Sequence, residues 1–229
     1  MGLAFKHHDT VMAQNGAAAV AAPVPAAGAA AELRLADLAA KRDAVHAAPQ
    51  GATRDELKRK FIAELAPEVE AYLASGVPAA NPVLVWAMIW SFDAGDMAFA
   101  MRLAERAVAE KQEMPHPPFR NTFRVDAYVA DAVFERSEAA FKSGGDPEPY
   151  FAETFARVLD GTYRVHDVVK AKYCKLAALM LEAKGEVERA LGMAANAAGF
   201  GGDKAQVKTL ISRLEKAVAA KREQERYKG

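Results

Sequence analysis

Asp93 and Asp96 stand close together with Gly95 between them, and two carboxylates at that spacing can in principle share a divalent metal. The same residues also suit the junction of two helices, and capping accounts for both without a metal. Asp126 and Asp131 are five positions apart and do not share a helical face well. Two-metal nucleases need several carboxylates converging on one cleft, and the sequence advertises no such cluster. His7 and His8 are adjacent, but no further ligands lie near them; His46, His116 and His166 are scattered, with no HExxH and no zinc-type Cys/His spacing. Cys174 sits in an apolar helix beside Tyr173 and Leu176, which reads as a buried inert thiol. The loop Gly199-Phe200-Gly201-Gly202 precedes a helix and could cradle phosphate, yet no Gly-Lys-Ser/Thr follows, so it reads as a flexible joint. The expectation is therefore no catalytic residue, no metal and no cofactor.

Cations are the other candidate chemistry. Between Lys41 and Lys60 there are six basic residues, Lys41, Arg42, Arg54, Lys58, Arg59 and Lys60, against three acidic ones. They fall on two helices with a short connection, with Arg54, Lys58, Arg59 and Lys60 expected outside, an arrangement that can sit on DNA phosphates. The last helix carries eight basic residues against four acidic ones from Asp203 onward. Within it Lys216, Lys221, Arg222 and Arg226 are candidates for docking a protein partner or for additional DNA contact.

The element that must organise these groups is the run Val83 to Phe92, which is bulky on every side. A helix that is apolar all round is either a membrane span or a buried core element, and a span needs about 20 apolar residues. The run is therefore expected as the central buried helix of a bundle. Asn81 can cap it, Pro82 suits the first helical position, Gly95 permits a left-handed end and Asp96 can cap the next helix. That next helix, Met97 to about Lys111, has Ala100, Leu103, Ala104, Ala107 and Val108 on one face. Around this hairpin the pattern predicts a helix over 32–48, a capping box at Thr53–Glu56 opening a second helix, and a break at Pro67. Helices follow over about 122–143, 150–161, 168–183 and 203–227. The Gly95 corner is echoed at Gly185: Ala100, Ala104 and Ala107 align at constant offset with Ala190, Ala194 and Ala197. A glycine corner followed by spaced alanines is how tetratricopeptide-like hairpins pack.

The fold expected is all-α: helical hairpins with tetratricopeptide-like packing, a helical N-terminal DNA-binding region and a basic C-terminal helix. Its parts are a flexible arm and alanine-rich linker (1–31), a DNA-binding region (32–76), a central hairpin core (77–143) and a C-terminal hairpin with the basic helix (144–229). The chain has 30 basic and 30 acidic side chains and no net charge, so nucleic acid would have to be met by local patches multiplied through oligomerisation. A single cysteine excludes an internal disulfide and suits a reducing cytoplasm. Lys6 stands where a myristoylation signal wants Ser or Thr, and no targeting segment is expected.

Met88 to Ala100, with Trp90 three residues before the Asp93-Ala94-Gly95-Asp96 corner, resembles the signature of the small terminase subunit of temperate contractile-tailed double-stranded DNA bacteriophages. Met114-Pro115 with Arg120-Asn121-Thr122 and the following helix is similar as well, as are the C-terminal order of helices and the opening Phe5-Lys6-His7-His8. The resemblance implies binding of viral double-stranded DNA at the packaging site and recruitment of a large terminase subunit bearing the ATPase and nuclease centres. It also implies a homo-oligomer, such as a ring, in the host bacterial cytoplasm. Some members are labelled the endonuclease subunit. Two alternatives remain open: a helical-repeat adaptor that binds only protein, and a metal-dependent DNA endonuclease subunit.

Overall fold

The structure, a computed structural model, describes residues 26–119 and 123–228. The opening peptide around Phe5–His8 and the Arg120-Asn121-Thr122 segment lie outside the described residues. Among the described residues the chain forms nine α-helices and one isolated antiparallel bridge, Glu113 with Arg124. The helices are α1 (Ala26–Ala47), α2 (Ala52–Ser75), α3 (Pro82–Ala94), α4 (Met97–Ala109), α5 (Val125–Lys142), α6 (Tyr150–Leu159), α7 (Asp167–Ala183), α8 (Val187–Gly201) and α9 (Lys208–Lys228). Among them no helix is long and apolar enough to cross a membrane. The all-helical expectation holds. Two compact units emerge, Met1–Val125 and Asp126–Gly229.

In the first unit α3 is the core. Val83 to Phe92 are all buried, because α3 packs on both α2 and α4. Its one buried hydroxyl, Ser91, donates to the Ala87 carbonyl at 2.7 Å, so that hydroxyl is not stranded. The ends form as the residue types dictate. Asn81 accepts the Leu84 amide at 2.9 Å, Pro82 opens the helix, and Gly95 takes φ 84°. Asp96 accepts the Phe99 amide at 3.1 Å and caps α4. Ala100, Ala104 and Ala107 are fully buried, which lets the two helix axes approach closely.

Three local expectations in this unit need correction. The alanine run expected as linker is already helical from Ala26, in keeping with alanine's propensity. Thr53 and Glu56 do not form a capping box: α2 begins at Ala52 with Gly51 at the N-cap and no side-chain cap, so Thr53 lies inside the first turn. Pro67 does not break the helix, since α2 runs through it to Ser75. Both Pro67 and Ala63, whose carbonyl loses its amide partner, are exposed, so water can serve that carbonyl.

The second unit repeats the hairpin. Gly185 takes φ 77° between α7 and α8, and Ala190, Ala194 and Ala197 are fully buried. A cluster of Cys174, Ala178, Val207, Leu210 and Leu214 joins these alanines and seats α9 on the hairpin. The last helix starts at Lys208 rather than near Asp203, because a short 3-10 turn spans Gly202–Ala205 and Gln206 adopts φ 52°. Tyr173 is stacked with Phe151 and Phe155, at 5.4 and 5.8 Å between ring centroids, and donates to the Ala130 carbonyl at 2.7 Å. Cys174 is fully buried, and that burial pushes its thiol up to about 11, as an inert core thiol requires.

Candidate nucleic-acid interface

The helix pair α1–α2 carries the six cations singled out by the sequence. They do not share one face. Lys41 points inward: its ammonium lies 2.9 Å from Asp37 and 3.1 Å from Glu64, and 5.3 Å from the centre of the Phe61 ring. The hydrogen bond it donates to Asp37, reinforced by Glu64, holds its pKa above the usual lysine value. Arg42 is paired with Asp43 at 3.1 Å.

Arg54 has a structural task. Its Nε and Nη2 donate to the Ala48 carbonyl at 3.0 and 2.6 Å, and Nη2 also donates to the His46 carbonyl at 2.9 Å. These carbonyls lie at the C-terminal end of α1, where no amide of the same helix can reach them, and a guanidinium complements the negative end of the helix dipole. Lys58 was expected outside and is not. It is 8% exposed and donates to Asp93 Oδ2 at 2.8 Å. The corrected picture has α2 tied to the end of α3 by an ion pair, with Asp93 serving as its acceptor rather than as a helix cap.

Arg59 and Lys60 remain exposed on α2. Among the described residues Lys60 has one distant partner, Glu64 at 3.9 Å, and its side chain is two-thirds exposed. On α9, in the second unit, Lys216, Arg222 and Arg226 are exposed, while Lys221 pairs with Glu188 at 2.8 Å. Other α9 cations are likewise engaged: Arg213 with Glu182 at 2.7 Å, and Lys208 with Asp203 at 2.8 Å. Sequence reasoning missed the Lys58–Asp93 pair because its members are 35 positions apart and no local pattern links them. It missed the role of Arg54 because the guanidinium reaches backward, into the preceding helix.

The exposed cations sit on a helical scaffold with a Trp-containing, doubly capped hairpin. The model of the phage small terminase subunit family matches residues 35–168, more than half of the chain. The chain belongs to that family. It is also 34% identical over 140 residues to the "Probable terminase, endonuclease subunit" of Haemophilus phage HP1 (strain HP1c1), covering 61% of this chain and 48% of that protein. The chain thus spans about half the length of the curated relative it matches. No solved structure matches. The stretch matched by the small terminase model runs from α1 to the first residues of α7, so it contains the first hairpin and all six α1–α2 cations. The second hairpin and α9 lie almost wholly beyond it.

Proposed function

We propose that the chain is the DNA-recognition and adaptor subunit of a viral genome-packaging motor, acting in multiple copies and delivering double-stranded DNA to a large subunit that carries the catalysis. Membership of the small terminase family, over the stretch that includes α1, α2 and the first hairpin, carries the proposal. Ion pairing within the fold supports a narrower set of DNA-contacting cations. Lys41, Arg42 and Lys58 are paired with carboxylates and Arg54 holds the end of α1, so Arg59 and Lys60 are the α1–α2 cations offered to phosphate, with Lys216, Arg222 and Arg226 on α9 as the second set. Few phosphate contacts per protomer mean weak, salt-sensitive binding that a multi-copy assembly, such as a ring, converts into avidity.

Retardation of duplex DNA at low salt tests this, together with the mass of the chain in solution, free and with duplex. Arg59→Glu with Lys60→Glu is expected to weaken binding and flatten the salt dependence by roughly one unit of slope per lost contact, with the oligomer intact. If the change leaves binding untouched, the α9 set becomes the DNA surface, and Lys216→Glu, Arg222→Glu and Arg226→Glu together should then abolish retardation. Absence of retardation by the unaltered chain would favour an adaptor that binds only protein.

The relative's name brings in a nuclease. Here Asp93 is engaged with Lys58 and Asp96 with the Phe99 amide, so a metal held by these two carboxylates would compete with both contacts. Among the described residues no group of three or more His, Cys, Asp or Glu side chains is placed to hold a metal ion. Magnesium-dependent cleavage of duplex DNA by the purified chain, lost on Asp93→Asn or Asp96→Asn in a folded variant, would establish the nuclease instead.

A further inference from the structure

The tryptophan face of α3 is buried but not sealed. Within the first unit, Trp86, Ile89 and Trp90 form one wall of a partly open cavity of about 150 Å³, closed by Val45 of α1 and by Pro118 and Phe119 of the crossover after α4. The apolar wall of a cavity of this size has room for a benzene-sized group. Arg42, Arg54 and Lys58 also line it, along with Asp43 and Asp93. Two of these cations are already neutralised: Lys58 by Asp93 at 2.8 Å, and Arg42 by Asp43 at 3.1 Å.

Arg54 is different. Its three hydrogen bonds all go to main-chain carbonyls and use Nε and Nη2. A guanidinium has five donors and keeps its charge at any working pH. Both hydrogens on Nη1 therefore remain, and no carboxylate among the described residues comes within ion-pair distance. The group is held by the end of α1, has no carboxylate partner and borders the tryptophan wall of the cavity. That combination selects a ligand with an apolar body and an acidic neighbour.

We propose that this cavity docks a partner polypeptide through an apolar side chain next to a carboxylate, the side chain against Trp86, Ile89 and Trp90 and the carboxylate on Arg54. A buried anchor in an aromatic pocket beside an arginine is the usual make-up of an energetic hot spot between proteins. Duplex DNA fits the site poorly. It presents about one charge per 1.7 Å of axis and calls for rows of cations, whereas a single cation without a carboxylate partner lines this cavity. The site is also separate from Arg59 and Lys60, so it stands or falls independently of DNA binding.

Both tryptophans of the chain line the cavity, so their emission reads it selectively. The full chain is titrated with acetyl-Gly-Asp-Leu-Phe-Asp-Gly-amide and with the matching peptide carrying Asn for both Asp residues. A saturable change in emission with Kd on the order of 1 mM or lower is expected for the acidic peptide, and binding about five- to tenfold weaker for the amide peptide. Arg54→Gln should abolish that discrimination. Because Arg54 also caps α1, helix content is checked by circular dichroism. Ile89→Phe fills the cavity, leaves Arg54 in place and should remove the saturable response. No saturable change with the unaltered chain, equal binding of both peptides, or undiminished binding to Ile89→Phe would each overturn the proposal. So would a saturable response to a duplex oligonucleotide in place of the peptide, or a shift on removal of residues 1–25 with no peptide response in either form, which would assign the cavity to the chain's own arm.

Discussion

The hairpins α3–α4 and α7–α8 turn the same corner on different supports. At the first, the Gly95 and Asp96 amides donate to the Phe92 and Ser91 carbonyls; at the second, the Gly185 and Glu186 amides donate to the Glu182 and Leu181 carbonyls. Both glycines have positive φ, and both following helices bury three alanines completely. Beyond the corner they diverge. The Asp96 side chain caps α4, while Glu186 reaches forward to Arg189 on its own helix and caps nothing. The helix α3 is enclosed on every side and tied to α2 by the half-hidden Lys58–Asp93 pair. The helices α7 and α8 are tied to α9 across their rim by the exposed pairs Arg213–Glu182 and Lys221–Glu188. Glycine placement is enough to make the turn; what secures it is chosen separately by each unit.

The strongest way to break this contrast is to remove one partner of each pair. Asp93→Ala leaves the buried Lys58 without its counter-charge and should cost about 3 kcal/mol, read as the urea midpoint of tryptophan emission. Lys58→Met combined with Asp93→Leu should recover most of that loss, because hydrophobic packing can replace a buried pair. Next come the corners themselves. Gly95→Ala and Gly185→Ala should each cost about 1–2 kcal/mol, since a side chain strains a left-handed backbone. The second is followed by labelling of Cys174, whose buried thiol reacts only when its unit opens. Unequal costs would show that the two corners are not equivalent. A smaller difference is expected at the caps: Asp96→Ala should lose about 1 kcal/mol and Glu186→Ala no resolvable amount. Smallest of all, Arg213→Ala should leave Cys174 labelling unchanged, as exposed ion pairs contribute little.

Much of the first hairpin was legible because its signals are local. Asn81, Pro82, Gly95 and Asp96 each act within four residues of their own position, and the unbroken apolar run could only be a core helix. The second corner was readable by analogy with the first. What could not be read depends on partners distant in the chain. Lys58 looks like one more member of a basic run until Asp93 is brought beside it. Lys41 belongs to the same run, yet Glu64 and the Phe61 ring draw it inward. Arg54 follows the turn between α1 and α2 and looks free to face solvent, while the end of α1 supplies it with carbonyls. The basic surface expected from composition therefore shrinks to those residues for which the fold has no other use. The most specific part of the family resemblance lay in Met88 to Ala100, where the chemistry is structural, and so it pointed to the family without pointing to the contact surface.

Six positions, Ala100, Ala104, Ala107, Ala190, Ala194 and Ala197, bring the two pairs of helices together through single methyl groups. Drift at these sites is one-directional: almost every accessible substitution enlarges the side chain and wedges the pair apart, and the sole reduction, to glycine, loosens the helix. Such positions should therefore be the slowest to diversify among relatives, while the charged outer faces remain free to follow whatever genome or partner each lineage encounters.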